Sequence, residues 1–300
     1  MTTRRDFITG AGALAATGIF GAAHAAGLPD SLASELARIA RESGGRLGVA
    51  VLDIGSGARA GFHADDRFPM CSTFKFLAAA AVLKRVDEGK EKLERHFAYT
   101  KKDLVAYSPV TKERVAQGMT LADLCEAAVT LSDNTAANLI LTALGGPQGV
   151  TQFARALGDP KTRLDRNEPS LNQAVPGDPR DTTTPNAMLG NLQKLVLGDA
   201  LSPASKELLT KWLLGNKTGD ARMRAHLPEG WRVGDKTGSG RLGTTNDVGV
   251  IWPPDRAPIV LAIYLTETTA HQNARNGTLA AVGAAVAGLP GSTRSGSGTY

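Results

Sequence analysis

Histidine is scarce in this chain: His24, His63, His96, His226 and His271 stand far apart, and none lies close to another histidine or to a cysteine. A zinc hydrolase, whose site needs about three protein ligands and usually shows a short spacing, therefore has no support. The same scarcity weakens a Ser-His-Asp triad, although triad members can be distant in sequence. No metal and no cofactor are expected. A run of basic residues interleaved with aromatics is also missing: the formal charge of +5 is scattered along the chain, which argues against a nucleic-acid partner. The apolar stretch from Gly10 to Ala23 is too short and too rich in glycine to span a bilayer.

What is present is ordinary globular material. With 300 residues, 42% hydrophobic and 21% charged, the chain can bury one substantial core or two modest ones. Residues 1–25 differ in kind. Thr3-Arg4-Arg5-Asp6-Phe7-Ile8 precedes the Ala/Gly-rich stretch, which ends in Ala23-His24-Ala25; this reads as a secretory signal cut after Ala25. The arginine pair resembles the twin-arginine signal, which exports folded proteins to the periplasm, with an ordinary secretory signal as the alternative. Cleavage removes Arg4, Arg5 and Asp6, one net positive charge. Cys71 and Cys125 could pair in an oxidising compartment, but a chain folded first in a reducing cytosol keeps its thiols. Both are expected to be unpaired and buried, as small apolar residues.

Periodicity places a helix over Ser31–Ser43, with Leu32, Leu36, Ile39 and Ala40 at helical spacing. A hairpin follows, from Leu47–Asp53 through Gly55-Ser56-Gly57 to Ala58–Phe62. Helical patterns then run over Phe76–Val86, Leu121–Leu131, Asn134–Leu144, Val150–Leu157, Pro185–Leu197 and Pro203–Leu213. Strand character returns in Trp231–Lys236, Val248–Trp252 and Ile259–Leu265, before a closing helix over Thr278–Ala287. Strands at both ends with helices between suggest one sheet built from the two termini and an inserted helical domain. The short connections among the last three strands imply antiparallel pairing. There are no internal repeats, and residues 291–300 read as a disordered Ser/Gly-rich tail.

Chemistry is then to be sought among serines and lysines. Ser72 and Lys75 are one helical turn apart and can meet on one face. Phe74, Phe76 and the alanines around Lys75 would disfavour its ammonium form, and a neutral amine beside a hydroxyl is a general base beside a nucleophile. Taken alone, the pair is as well read as a helix-capping serine and a solvated lysine. Two further strings change the weight: Ser132-Asp133-Asn134, at the junction of two predicted helices, and Lys236-Thr237-Gly238, at the end of a predicted strand.

Ser-x-x-Lys, Ser-Asp-Asn and Lys-Thr-Gly in this order resemble the set of class A β-lactamases and penicillin-binding proteins. Residues 163–181, beginning RLDRNEPSLN, are similar to the Ω-loop of class A β-lactamases, and KTGSGRLGTTND (236–247) resembles the CTX-M branch. The similarity runs from about Leu28 to Gly288. It implies an α/β (α+β) two-domain fold, a five-stranded antiparallel sheet with flanking helices plus an inserted all-helical domain. Residues 26–62 and 214–290 would form the first domain and 63–213, Ω-loop included, the second.

The resemblance also implies an activity, hydrolysis of the β-lactam amide of penicillins and cephalosporins, and a role for each matching residue. Ser72 would be the nucleophile, with its own N–H and that of Ser239 as the oxyanion hole. Lys75 or Glu168 would be the base for acylation, Ser132 the proton donor to the departing nitrogen, and Glu168, with Asn172 positioning the water, the agent of deacylation. Asn134 would meet the substrate's side-chain amide, Lys236 and Thr237 its carboxylate. Relatives often add an arginine where Thr245 stands, so Arg222 or Arg275 would supply the guanidinium; Tyr107 would wall the cleft. Glu168-Pro169 is expected to be cis, and Arg166 to pair with Asp181 across the loop neck. Gly240 stands where some carbapenemases carry the cysteine that pairs with the residue matching Cys71, so efficient carbapenem turnover is not expected. A monomer without membrane attachment after signal cleavage is expected. The alternatives are a D,D-peptidase or transpeptidase, which would lack the deacylating loop, and a β-lactam-binding sensor domain.

Overall fold

A computed structural model describes residues 30–289; the signal (1–25) and the tail (291–300) expected above lie outside the described residues. Helix α1 (Asp30–Glu42) turns Leu32, Leu36 and Ile39 inward, and the hairpin β1 (Arg46–Asp53) and β2 (Arg59–Phe62) follows. Short strands β3 (Phe68–Pro69), β4 (His96–Phe97), β5 (Met119–Thr120) and β6 (Thr182–Thr183) pair β3 with β6 and β4 with β5. The helical part comprises α2 (Phe74–Asp87), α3 (Leu121–Thr130), α4 (Asn134–Leu144), α5 (Pro147–Ala156), α6 (Pro185–Leu192) and α7 (Pro203–Leu214). Strands β7 (Arg232–Ser239), β8 (Thr245–Trp252) and β9 (Ile259–Thr266) and helix α8 (Gln272–Ala287) complete the chain.

The large sheet has the order β2-β1-β9-β8-β7, antiparallel throughout, so the N-terminal hairpin docks on the last strand with Val49 opposite Ile263. Side chains alternate between its faces. Leu47, Val49, Val51, Ile251, Leu261, Ile263 and Leu265 pack against α1 and α8, while Ala50, Leu52, Val248, Val250, Val260, Ala262 and Tyr264 join the core of the helical part. Both faces are covered, which is why β9 is buried along its whole length and reads as a continuous apolar run. Helix α2 is buried from Phe74 to Leu83, as expected of a helix apolar on every side; it lies among α3, α4, α5 and α7. Among the described residues no helix is long and apolar enough to cross a membrane.

The types of the long elements follow the sequence reading, whereas the two-residue strands β3 to β6 are too short to show a pattern and are not among the expected elements; the boundaries differ where polar residues mask the pattern. Helix α8 starts at Gln272, not Thr278, because its first turns are polar and exposed and apolar spacing begins only at Leu279. Strand β7 continues through the Lys-Thr-Gly triplet to Ser239, and β8 starts at Thr245, because these polar stretches pair with each other, Thr237 opposite Asp247. The predicted helix Pro185–Leu197 is α-helical to Leu192 and ends in a wider π turn over Gln193–Leu197.

Two close-packed features behind β7 and β8 make testable demands. Gly283 of α8 packs directly on the Met223 carbonyl, so an added Cβ would collide with main chain. Gly283→Ala is expected to destabilise the fold by about 2 kcal/mol, a fall in Tm of roughly 4–8 °C by differential scanning fluorimetry; an unchanged Tm would show that α8 can shift. Beside it, Asp235 accepts from Asn216 Nδ2 at 2.5 Å and from the Arg224 guanidinium. Asp247 accepts from Met223 N at 3.2 Å and also meets the Asp235 carboxylate through its side chain. Burial, with the neighbouring Asp235 carboxylate, pushes the Asp247 carboxyl well above the usual range. The unfolded side chain releases its proton near pH 4 while the folded one keeps it, so this group costs progressively more stability as pH rises above that point. Asp247→Asn removes that dependence. Its Tm relative to wild type is expected to rise between pH 4.5 and 7.5 by at least about 3 °C, roughly 1 kcal/mol for a chain of this size; a difference independent of pH would refute the protonated form.

Candidate active site

Ser72 lies on a short 3-10 turn, Cys71–Thr73, that runs into α2, and the residue capping α2, Thr73, makes no side-chain capping bond. The helix-cap reading of Ser72 therefore falls away. The Ser72 hydroxyl faces Lys75 one turn on: Lys75 Nζ donates to Ser72 Oγ at 2.9 Å, to Ser132 O at 2.8 Å and to Asn134 Oδ1 at 2.5 Å. The same amine pairs with Glu168 Oε1 at 3.0 Å, both side chains fully buried, and Ser72 Oγ donates to that oxygen at 3.3 Å. The hydroxyl thus has two bases within reach. Burial lowers the Lys75 ammonium below its usual range, and the Glu168 carboxylate opposes this.

Ser132 sits between α3 and α4 with φ +60, a conformation uncommon outside glycine. It is held there by Asp133, whose buried carboxylate caps α4 through Ala136 N at 2.8 Å and accepts from Val110 N, Thr111 N and Thr111 Oγ1, each at 2.9 Å. Asn134 donates through Nδ2 to Ala106 O at 2.8 Å, so its carboxamide oxygen is engaged by Lys75 and one N–H by the chain. Lys236 Nζ, on β7, donates to Ser132 Oγ at 3.1 Å and to Thr237 O at 2.9 Å. Burial, and then the charge of Lys75, drive its ammonium well below the usual range. Thr237 Oγ1 is 2.5 Å from Thr218 Oγ1.

Glu168 is fixed from its main chain: Asn138 accepts from its N–H at 2.9 Å and donates to its carbonyl at 3.0 Å. The Glu168-Pro169 bond is cis. Asn172 Nδ2 donates to Glu168 Oε2 at 2.5 Å, and Asn172 Oδ1 is buried without a protein partner. The loop neck is closed by Arg166 Nε and Asp181 Oδ2 at 2.5 Å, the pairing read from the sequence. Asp181 also accepts from the N–H groups of Asp165 and Arg166, at 2.7 and 2.9 Å.

A cleft of about 480 Å³ is bordered by Ser72, Ser132, Asn134, Asn172, Thr237 and Ser239, with Tyr107 and Arg222 also on its wall. Tyr107 is 60% exposed, which discards plain core packing for it. Arg222 is buried rather than a solvated surface arginine: Nη2 donates to Ser239 Oγ at 2.8 Å, and Nη1 to Gly238 O at 2.9 Å and Asn246 O at 2.7 Å. Arg275 instead lies near Gly243. Cys71 and Cys125 are free and buried, and burial raises the thiol of each far above its usual range.

Lys217, Thr218 and Gln272 also line the cleft and were missed in the sequence. A signal for the first two exists: Lys217-Thr218-Gly219 is a second Lys-Thr-Gly triplet, nineteen positions before Lys236-Thr237-Gly238. Gln272 had none, being the first residue of a helix whose start is polar. Asn138 and Asp133 act on the site through the main chain of others, which spacing does not reveal.

Comparison with known proteins agrees with this arrangement. Residues 31–288 match the model of the β-lactamase enzyme family. The chain is 49% identical over 247 residues to β-lactamase OXY-2 of Klebsiella oxytoca, covering 82% of this chain and 84% of that protein. It is 49% identical over 247 residues to β-lactamase CTX-M-8 of Citrobacter amalonaticus, covering 82% and 85%. Among solved structures, an ancestral class A β-lactamase reconstructed for Gram-negative bacteria is 63% identical, with a TM-score of 0.84 over 85% of this chain and 98% of that one. A match across almost every described residue, on a fold that brings Ser72, Lys75, Ser132, Glu168 and Lys236 to one cleft, places the chain in the class A β-lactamase family.

Proposed function

We propose that this enzyme hydrolyses the four-membered amide of penicillins and of early and oxyimino cephalosporins, protecting its host against them. One observation carries the reading: Ser72 Oγ lies within 3.3 Å of both Lys75 Nζ and Glu168 Oε1, and beside Glu168 the buried Asn172 Oδ1 is left to accept a bond from something other than protein. Ser72 attacks the amide carbonyl while its proton passes to Lys75 or Glu168. The oxygen that becomes negative is received by the N–H groups of Ser72 and Ser239, each worth about 3–4 kcal/mol in the transition state. Ser132 hands its proton to the departing nitrogen and is reprotonated by Lys75, which passes on the proton that left Ser72, directly or by way of Glu168; Lys236 beside the Ser132 hydroxyl eases the transfer. Lys236, Thr237 and Arg222 draw in the substrate carboxylate, Arg222 acting alongside Ser239, and Asn134 and Tyr107 border the side-chain end. A water held between Glu168 and Asn172 then loses its proton to Glu168 and attacks the ester carbonyl, and Glu168 passes that proton to Ser72 Oγ as its bond to the carbonyl carbon breaks.

Residues 1–25 direct a monomer to the periplasm by the twin-arginine route; residues 26–62 and 214–290 form the α/β domain and 63–213 the helical one, consistent with the two apolar cores on either side of the sheet.

Purified mature protein is expected to turn over a chromogenic cephalosporin repeatedly, and Ser72→Ala to abolish it. Glu168→Ala removes the base for the second step, and hydrolysis is expected to fall at least about 100-fold. Acylation should survive in part, because losing the carboxylate that favours the Lys75 ammonium leaves more neutral amine. Mass spectrometry should then find the acyl-enzyme accumulating in Glu168→Ala and not in wild type. No adduct in the variant sinks the deacylation role; a long-lived adduct in the wild type points to a cell-wall peptidase.

A further inference from the structure

The turn that leads into Ser72 is strained and tightly held, and the steps above make no use of what holds it. Cys71 has φ +46, a conformation that non-glycine residues keep only when their surroundings over-determine it. Asn246 of β8, fully buried, donates through Nδ2 to Pro69 O at 2.8 Å and to Met70 O at 3.1 Å. The Met70 carbonyl also accepts from Thr73 Oγ1 at 2.8 Å and Thr73 N at 3.2 Å. Gly238 faces it so closely that a Cβ there would lie 2.7 Å from the oxygen.

We propose that Asn246 is a positioning residue for the oxyanion hole: its carboxamide straps the Pro69–Cys71 turn to β8 and so sets the separation of the Ser72 and Ser239 N–H groups. This rests on the reading that those two groups receive the developing negative oxygen. The strap is short at both ends. Asn246 stands opposite Gly238 in the β7–β8 register, one residue from Ser239, and the carbonyls it holds belong to residues two and three before Ser72. Arg222 bonds the main-chain oxygens of Gly238 and Asn246, so the anchor of the strap is itself braced. The Met70–Cys71 peptide plane governs the dihedrals of Cys71, and these aim the next N–H, that of Ser72. Without the two Nδ2 bonds, the strained turn can relax and that N–H swing away from its partner on β7.

The test measures kcat and KM for a chromogenic cephalosporin, the dissociation constant of an arylboronic acid that adds to serine as a tetrahedral adduct, and Tm. The variants are Asn246→Ala, Asn246→Asp, which turns the donor into an acceptor facing two carbonyls, and Thr73→Val, which removes one other bond to Met70 O. Asn191→Ala is the control; this buried amide of α6 bonds Asp159 at 2.7 Å. Both Asn246 variants are expected to lose about tenfold to a hundredfold in kcat and in boronate affinity, with KM within about threefold of wild type. Thr73→Val should lose less, in the same direction. Asn191→Ala should lower Tm and leave kcat and boronate affinity in place. Asn246 variants that behave like this control overturn the proposal. Should they fail to fold, unchanged boronate affinity in Thr73→Val overturns it. A wild type that turns over substrate but forms no boronate adduct at Ser72 overturns the oxyanion reading and the proposal with it, a result distinct from either variant outcome.

Discussion

A lysine amine buried at the start of an apolar helix is the constraint around which this structure is arranged. Removing a charged or even a neutral amine from water is unfavourable unless its hydrogens find acceptors. Four oxygens lie within 3.0 Å of Lys75 Nζ, and they come from three separate places: the turn before α2, the α3–α4 junction and the loop bearing Glu168. None of those segments is adjacent to another in the chain. The amine therefore acts as a joint that brings nucleophile, proton donor and carboxylate to one point, and the same requirement explains why Ser132 is held at positive φ: its main-chain oxygen must face inward.

A second buried lysine makes the site electrostatically incomplete. Lys236 bonds a hydroxyl and a carbonyl, and burial together with the nearby Lys75 works against its charge. Arg222 adds a third cationic group at the cleft, where burial also disfavours the charged form. Among the described residues only Lys75 of the three has an ion pair, with Glu168, while Asp235 and Asp247 favour the charge of Lys236 and Arg222 from farther off. Such an imbalance weakens the resting protein, and it is relieved when an anion enters. On the proposed reading the substrate carboxylate is that anion, so some of the stability lost on folding returns as affinity, a trade common at binding sites.

What could be read in advance follows from the range over which sequence spacing carries information. Ser72 and Lys75 share a helix turn, so their contact follows from periodicity once α2 is identified. Lys75 and Glu168 are brought together only by tertiary packing, and Glu168 was found through the resemblance of its loop, not through any pattern of charge. The sheet was legible where its strands alternate or run apolar, and illegible at Asn246 and Asp247, polar residues buried in β8, because burial of a polar side chain leaves no mark in hydropathy. Arg222 could be placed by resemblance, but its burial could not. Lys217-Thr218-Gly219 repeats the Lys-Thr-Gly string without a strand pattern before it, and a triplet acquires meaning only from the strand and cleft around it.

Four of the eight non-glycine residues with positive φ among the described residues surround the site, the others being His63, Ala174, Leu242 and Glu267. Cys71, Tyr107, Ser132 and Asp181 all have positive φ, and each is beside the nucleophile, on the cleft wall or at the loop neck. Each is also held by a buried or half-buried polar group: Cys71 through Asn246 and Thr73 on Met70, Tyr107 through its carbonyl on Asn134 N, Ser132 through Asp133, and Asp181 through Arg166. Apolar packing alone does not hold such conformations, because it is non-directional and tolerates small shifts. Directional bonds to main-chain groups do hold them. The two apolar cores supply most of the stability, and the buried amides and carboxylates between them convert it into geometry. Substitutions among these polar residues should therefore affect the chemistry more than their count of lost bonds suggests, whereas conservative changes in either core should mainly lower stability.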